Sequence, residues 1–86
     1  MSDKIKKVLY TATVSGTADS DGDFEIDNSI VHPSYHNLIS AICTSSGNVI
    51  GHVYRIASQR YGIFCTNYKG EAEGGARTFR ITYTDL

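Results

Sequence analysis

Hydrophobicity along this chain repeats every second residue, is broken at short intervals by turn residues, and nowhere takes on a helical period. Successive side chains of a strand point to opposite faces, so such a pattern describes half-buried strands and little else. In KVLYTATVSG, Val8, Tyr10, Ala12 and Val14 alternate with Leu9, Thr11 and Thr13, which predicts a first strand closed by Ser15-Gly16. Asp21-Gly22 is a turn dipeptide. After it Phe24 and Ile26 alternate with Asp23, Glu25 and Asp27, apolar in and acidic out, as a half-buried strand requires. HPSYHN holds the only proline and reads as a connection, because Pro33 removes a ladder donor and biases the preceding residues toward extended geometry.

LISAICTSSGNVIGHVYRIAS then reads as a hairpin turned by SSGN, with strands over 38–44 and 49–57. Two further strands are expected over 61–67 and 77–84, joined by the glycine-rich loop 68–76. Six strands result, or seven if 29–32 pairs separately. β-Branched residues and tyrosine fill them, as pleated half-buried surfaces favour. No segment is left for a crossover helix, which excludes a parallel α/β sheet. The expected fold is all-β, an antiparallel β-sandwich, with a small closed barrel as the alternative.

Eighty-six residues make one domain, 1–86, and a chain of this size buries only about 60–65% of the surface its unfolded form exposes. Small cores often gain stability by oligomerising, and burial of one face against identical copies is expected here. Two cysteines, no charged-then-apolar leader and no apolar run approaching about 20 residues point to synthesis in a cytosol, with no signal peptide and no membrane insertion. Net charge is −1 and the pI is near 6.2, so no global field draws nucleic acid or anionic membrane. The charges are nevertheless segregated. Lys4, Lys6 and Lys7 precede the first strand, an acidic block runs from Asp19 to Asp27, and Arg55, Arg60, Lys69, Arg77 and Arg80 dominate the second half. Opposite signs on separate strands suit strand-to-strand or copy-to-copy pairing, although such blocks are commonly just solvated faces.

The acidic block is tested first as a calcium site. An EF-hand loop starting at Asp19 needs glycine at position 24 and a bidentate glutamate at position 30, where this chain has Phe24 and Ile30. A turn running into an amphipathic strand accounts for Asp19, Asp21 and Asp23 without a cation. His32 and His36 have a metal-ligand spacing only on a helix, which Pro33 opposes, and no third ligand is apparent. His52 is expected to face inward or an interface. Cys43 and Cys65 lie in apolar strands outside any CxxC and read as buried free thiols, with a disulfide between them left open. GxSxG and HExxH are both absent, and no Ser, His and Asp are spaced as a site. Neither catalysis, metal nor cofactor is expected. The candidate binding residues are instead aromatic: Tyr35, Tyr61 and Tyr68 in or beside connections, with Arg60 next to Tyr61, suited to stacking on sugar rings or anchoring a protein partner.

TATVSGTADSDGDFEID, LISAICTSSGNVIGHVYR, RYGIFCTNYKG and ARTFRITYTDL follow one another as a short opening strand, an acidic turn into Phe-x-Ile, a central hairpin, a YGIF strand and a closing aromatic-alternating strand. In this order the chain resembles the small terminal β-sandwich modules of bacteriophage and prophage tail-fibre and baseplate proteins. The resemblance implies a non-enzymatic virion or phage-derived component made in the bacterial cytoplasm. It further implies a homo-oligomer, a trimer by preference, that binds another tail protein or a host-surface saccharide. The alternative is a carbohydrate-binding module that uses its loop tyrosines.

Overall fold

The computed structural model describes residues 8–86, which form six strands: β1 Tyr10–Ala18, β2 Asp23–Glu25, β3 His36–Cys43, β4 Ile50–Ile56, β5 Arg60–Thr66 and β6 Gly75–Asp85. The N-terminal lysines Lys4, Lys6 and Lys7 lie outside the described residues. Two antiparallel three-stranded sheets face each other, one ordered β1-β6-β3 and the other β2-β5-β4. This is the all-β sandwich that the alternation predicts.

The acidic stretch shows how sequence sets local structure. Asp19 Oδ1 accepts the backbone N–H groups of Asp21 (2.9 Å) and Asp23 (3.0 Å), an Asx turn that satisfies donors the turn would otherwise orphan. Gly22 sits at φ 84° with no room for a side chain, since a Cβ would meet the carbonyl of Cys65 at 2.5 Å. The Gly22 carbonyl in turn accepts the Cys65 N–H at 2.7 Å, starting the β2–β5 ladder. From there Phe24 and Ile26 are buried while Asp23, Glu25 and Asp27 remain in water. Burying side chains of this size contributes about 1.5–3 kcal/mol each.

The centre of the core joins the sheets. Phe24 and Ile63 from one meet Phe79 and Ile81 from the other, with the Phe24 and Phe79 rings edge-to-face at 5.1 Å between centroids. That geometry suits the aromatic quadrupoles and adds to the area buried. Val31, from the connection before β3, closes one flank and is fully buried.

Four expectations are corrected. Ser15-Gly16 does not end the first strand, which runs on to Ala18 because Gly16 lets the backbone pass the Phe24 ring (3.3 Å from a would-be Cβ) and β6 keeps pairing it. Residues 29–32 form no strand; Ile30 and Val31 donate to the Asp27 carbonyl as a turn. The β3–β4 segment is not a hairpin, because the loop 44–49 carries the chain from one sheet to the other. Among the described residues only β4 and β5 are both consecutive in the chain and paired. The fourth correction concerns β3, where alternation predicts Leu38, Ser40 and Ile42 on one face and Ile39, Ala41 and Cys43 on the other, but a bulge between Leu38 and Ser40 inserts Ile39. Leu38, Ala41 and Cys43 therefore point inward together, and Ile39 and Ile42 are left 51% and 54% exposed.

Candidate functional site

The outer face of the β2-β5-β4 sheet carries the densest group of chemically distinctive side chains. Inward positions on β5 belong to Tyr61, Ile63 and Cys65, so Arg60, Gly62, Phe64 and Thr66 look outward. Across from them on β4 stand Ile56, Tyr54, His52 and Ile50, and β2 adds Asp23 and Glu25. Tyr54 organises the group. Its ring lies over Gly62, where any Cβ would overlap it, and this bare spot lets the phenol cross β5 to reach β2. There the hydroxyl donates to Asp23 Oδ1 at 2.7 Å. Burial and the Asp23 bond raise the phenol above its ordinary pKa, with Arg60 opposing, so Tyr54 stays a protonated donor. Arg60 Nη2 reaches Glu25 Oε1 at 3.3 Å, and its Nη1 is buried without a hydrogen-bond partner. His52 Nε2 lies 2.9 Å from Thr66 Oγ1, and its ring stands 6.0 Å from that of Phe64, which is 38% exposed. His52 thus faces outward, which overturns the inward of its two expected positions, inward or at an interface.

A second feature follows the seam where the edges of β3 and β4 meet. Ile42 and Ile50 flank a hollow of about 290 Å³ floored by Ala41, Val49 and Gly51. Farther along, a hollow of about 300 Å³ opens among Asn37, Leu38, Val53 and Tyr61. The exposed Ile42 and Ile50 give the first of these hollows an apolar rim.

The four residues singled out from sequence are not brought together. Tyr61 is a correction: it is 6% exposed, points between the sheets from the start of β5, and donates its hydroxyl to the His36 carbonyl at 2.7 Å, so no sugar ring can reach its face. Tyr35 is exposed near the end of β6, where its carbonyl accepts the Leu86 N–H. Tyr68 is exposed in the loop that leads into the start of β6. That strand has eleven residues at ~3.3 Å each, so its length separates the two tyrosines. Arg60 alone belongs to the outer cluster. Tyr54, its centre, was legible only as strand packing, and the one available hint was a tyrosine facing glycine across a hairpin.

The other candidates are absorbed by local structure. His32 Nδ1 accepts the Ser34 N–H (2.9 Å) and His36 Nδ1 the His32 N–H (3.0 Å), which ties both rings into one turn. Asp27 sits below its ordinary pKa through hydrogen bonds from the backbone and hydroxyl of Ser29. Among the described residues no group of three or more His, Cys, Asp or Glu side chains is placed to hold a metal ion. Cys43 and Cys65 are free, on opposite sheets. Burial raises the Cys65 thiol; at Cys43 burial acts the same way but hydrogen bonds from Ser45 and Ser46, with Arg77 nearby, outweigh it and lower the pKa. No helix long and apolar enough to cross a membrane is present among the described residues. Set against known proteins, the chain matches no family model, and no curated protein or solved structure is significantly similar to it.

Proposed function

We propose that this chain is a non-enzymatic interaction module, working in a bacteriophage or prophage tail by docking a partner protein on its β3–β4 seam. The observation that carries this reading is the placement of Ile42 and Ile50 in water, 54% and 46% exposed, on the rim of a hollow with an apolar floor. Outward positions on β1 and β6 such as Thr11, Thr13, Ser15 and Arg80 carry hydroxyls or charge, whose exposure needs no partner. Branched aliphatics around a concave seam are the kind of patch that marks a protein contact. The tail setting comes from the resemblance of strand order and motifs. Co-expression with the products of neighbouring genes tests the reading. One of them co-purifies with the wild type and is lost with the Ile42→Glu, Ile50→Glu double variant; a partner retained by that variant would remove the seam from the function.

The outer face of the β2-β5-β4 sheet favours a second reading, saccharide binding. Phe64 offers an exposed aromatic surface beside Asp23, Glu25, Arg60 and Tyr54, groups able to bond ring hydroxyls while the aromatic packs on C–H. On a glycan array this reading expects binding that Arg60→Ala and Phe64→Ala abolish and Tyr68→Ala leaves intact.

A further inference from the structure

Strand β4 carries a charge at a position that alternation assigns to its dry face. Residues directly opposite in an antiparallel ladder project to the same side, and Arg55 stands opposite Tyr61, which points between the sheets. Gly51 and Val53 hold the preceding positions on that face. The guanidinium nevertheless stays in water, because Arg55 is exposed at the mouth of the hollow of about 300 Å³ that it lines with Leu38, Val53 and Tyr61. Among the described residues Arg55 makes no ion pair, whereas Arg60 on the neighbouring strand is paired with Glu25. Strands β3, β4 and β5, which supply the walls, contain no carboxylate between them. No acid of the walls answers this charge.

The rest of the hollow indicates what kind of anion would answer it. Leu38 and Val53 pack against the core and present aliphatic surface, and Tyr61 is held in place by the hydrogen bond from its hydroxyl to the His36 carbonyl at 2.7 Å. The floor is therefore apolar and preformed. Asn37 on the rim adds an amide that can donate or accept. A guanidinium offers two parallel N–H donors in the geometry of a carboxylate, and an aliphatic floor favours a ligand with a hydrocarbon body. The volume lies at the small end of the range of about 300–1,000 Å³ for ligand pockets, which suits a short chain or a single ring. We propose that this hollow binds a small monocarboxylate, with the carboxylate on Arg55 and the apolar body on Leu38 and Val53. The site rests on neither reading above, since it uses neither Ile42 and Ile50 nor Phe64. Inward charges also keep edge strands from pairing with other chains, and a guard of that kind needs no ligand. Binding separates the two roles.

Methyl-detected NMR titration with hexanoate tests this on the whole chain. Hexanoate shifts the Leu38 and Val53 methyl signals with a Kd of about 1 mM, as befits a fragment of this size. Hexanamide keeps the chain without the charge, and acetate keeps the charge without the chain; each binds about tenfold more weakly or worse. Arg55→Gln raises the hexanoate Kd about tenfold, while Arg80→Gln, which removes an outward cation from the other sheet, leaves it unchanged. Both side chains are exposed, so both variants keep the fold. Methyl signals unmoved at about 20 mM hexanoate overturn the proposal and leave Arg55 as an edge guard. Equal binding of hexanamide overturns it by removing the carboxylate, and equal binding of acetate or inorganic phosphate by removing the apolar body. An unchanged affinity in Arg55→Gln overturns it by placing the anion elsewhere.

Discussion

Gly62 and Tyr54 form one unit of structure at the scale of single residues. The ring occupies the space that any side chain at position 62 would take, and only from there does the hydroxyl reach Asp23 on the next strand. Gly62→Ala is therefore expected to cost about 1–3 kcal/mol by overpacking, although it adds a single methyl group and raises β-propensity. In a Tyr54→Ala background the same substitution should cost nothing or stabilise. Urea denaturation of the four proteins measures the coupling, and equal costs in both backgrounds would show that the contact is unimportant. Single-residue roles were unevenly legible in sequence. Phe24 and Ile26 against Asp23 and Glu25 could be read directly, because β2 is an edge strand with one dry face. Tyr61 could not, since it opens its expected strand beside a connection; its side is decided by where β5 begins and by the His36 carbonyl that accepts its hydroxyl hydrogen bond.

Among the elements, β3 diverges most from its sequence pattern. Strict alternation puts Leu38 with Ser40 and Ile42, yet the bulge groups Leu38 with Ala41 and Cys43. An extra residue shifts every later side chain to the other face, so one unseen bulge changes the expected environment of all that follow. Deleting Ile39 should consequently be tolerated, leaving Leu38↔Tyr83 and Ala41↔Ile81 in a regular ladder at a cost within about 1 kcal/mol. Deleting Ile42 instead would turn Cys43 away from Phe79 and is expected to destabilise several times more. Thermal melts of both deletions distinguish these outcomes, and similar losses would mean that Ile39 anchors the strand. The same element hides a topological fact. Ser-Ser-Gly-Asn carries the composition of a hairpin turn, but turn residues report only that the chain reverses, and whether it returns to the same sheet depends on a partner elsewhere.

At the scale of the whole molecule, the two sheets are held as one body by a narrow core centred on Phe24 and Phe79. Phe79→Ala removes the ring that both sheets share, at about 3–5 kcal/mol. A domain this small has a total stability near the low end of about 5–15 kcal/mol, so the variant is expected to be largely unfolded at 37 °C. Loss should be cooperative, with far-ultraviolet dichroism and tyrosine fluorescence changing together; one sheet melting before the other would contradict a shared core. Alternation told which side chains turn inward but not which strands lie side by side, because every apolar face satisfies every other to first approximation. The pairing of β1 with β6 illustrates this, as it joins opposite ends of the described chain. Strand β6 is also the middle member of its sheet, flanked by β1 and β3. During translation at about 5–20 residues per second, those two strands emerge seconds before the one that must lie between them. Half of the sandwich therefore cannot assemble until the ribosome has made nearly the last residue described, and a chain halted short of that point would hold two unmatched ribbons for chaperones to shield.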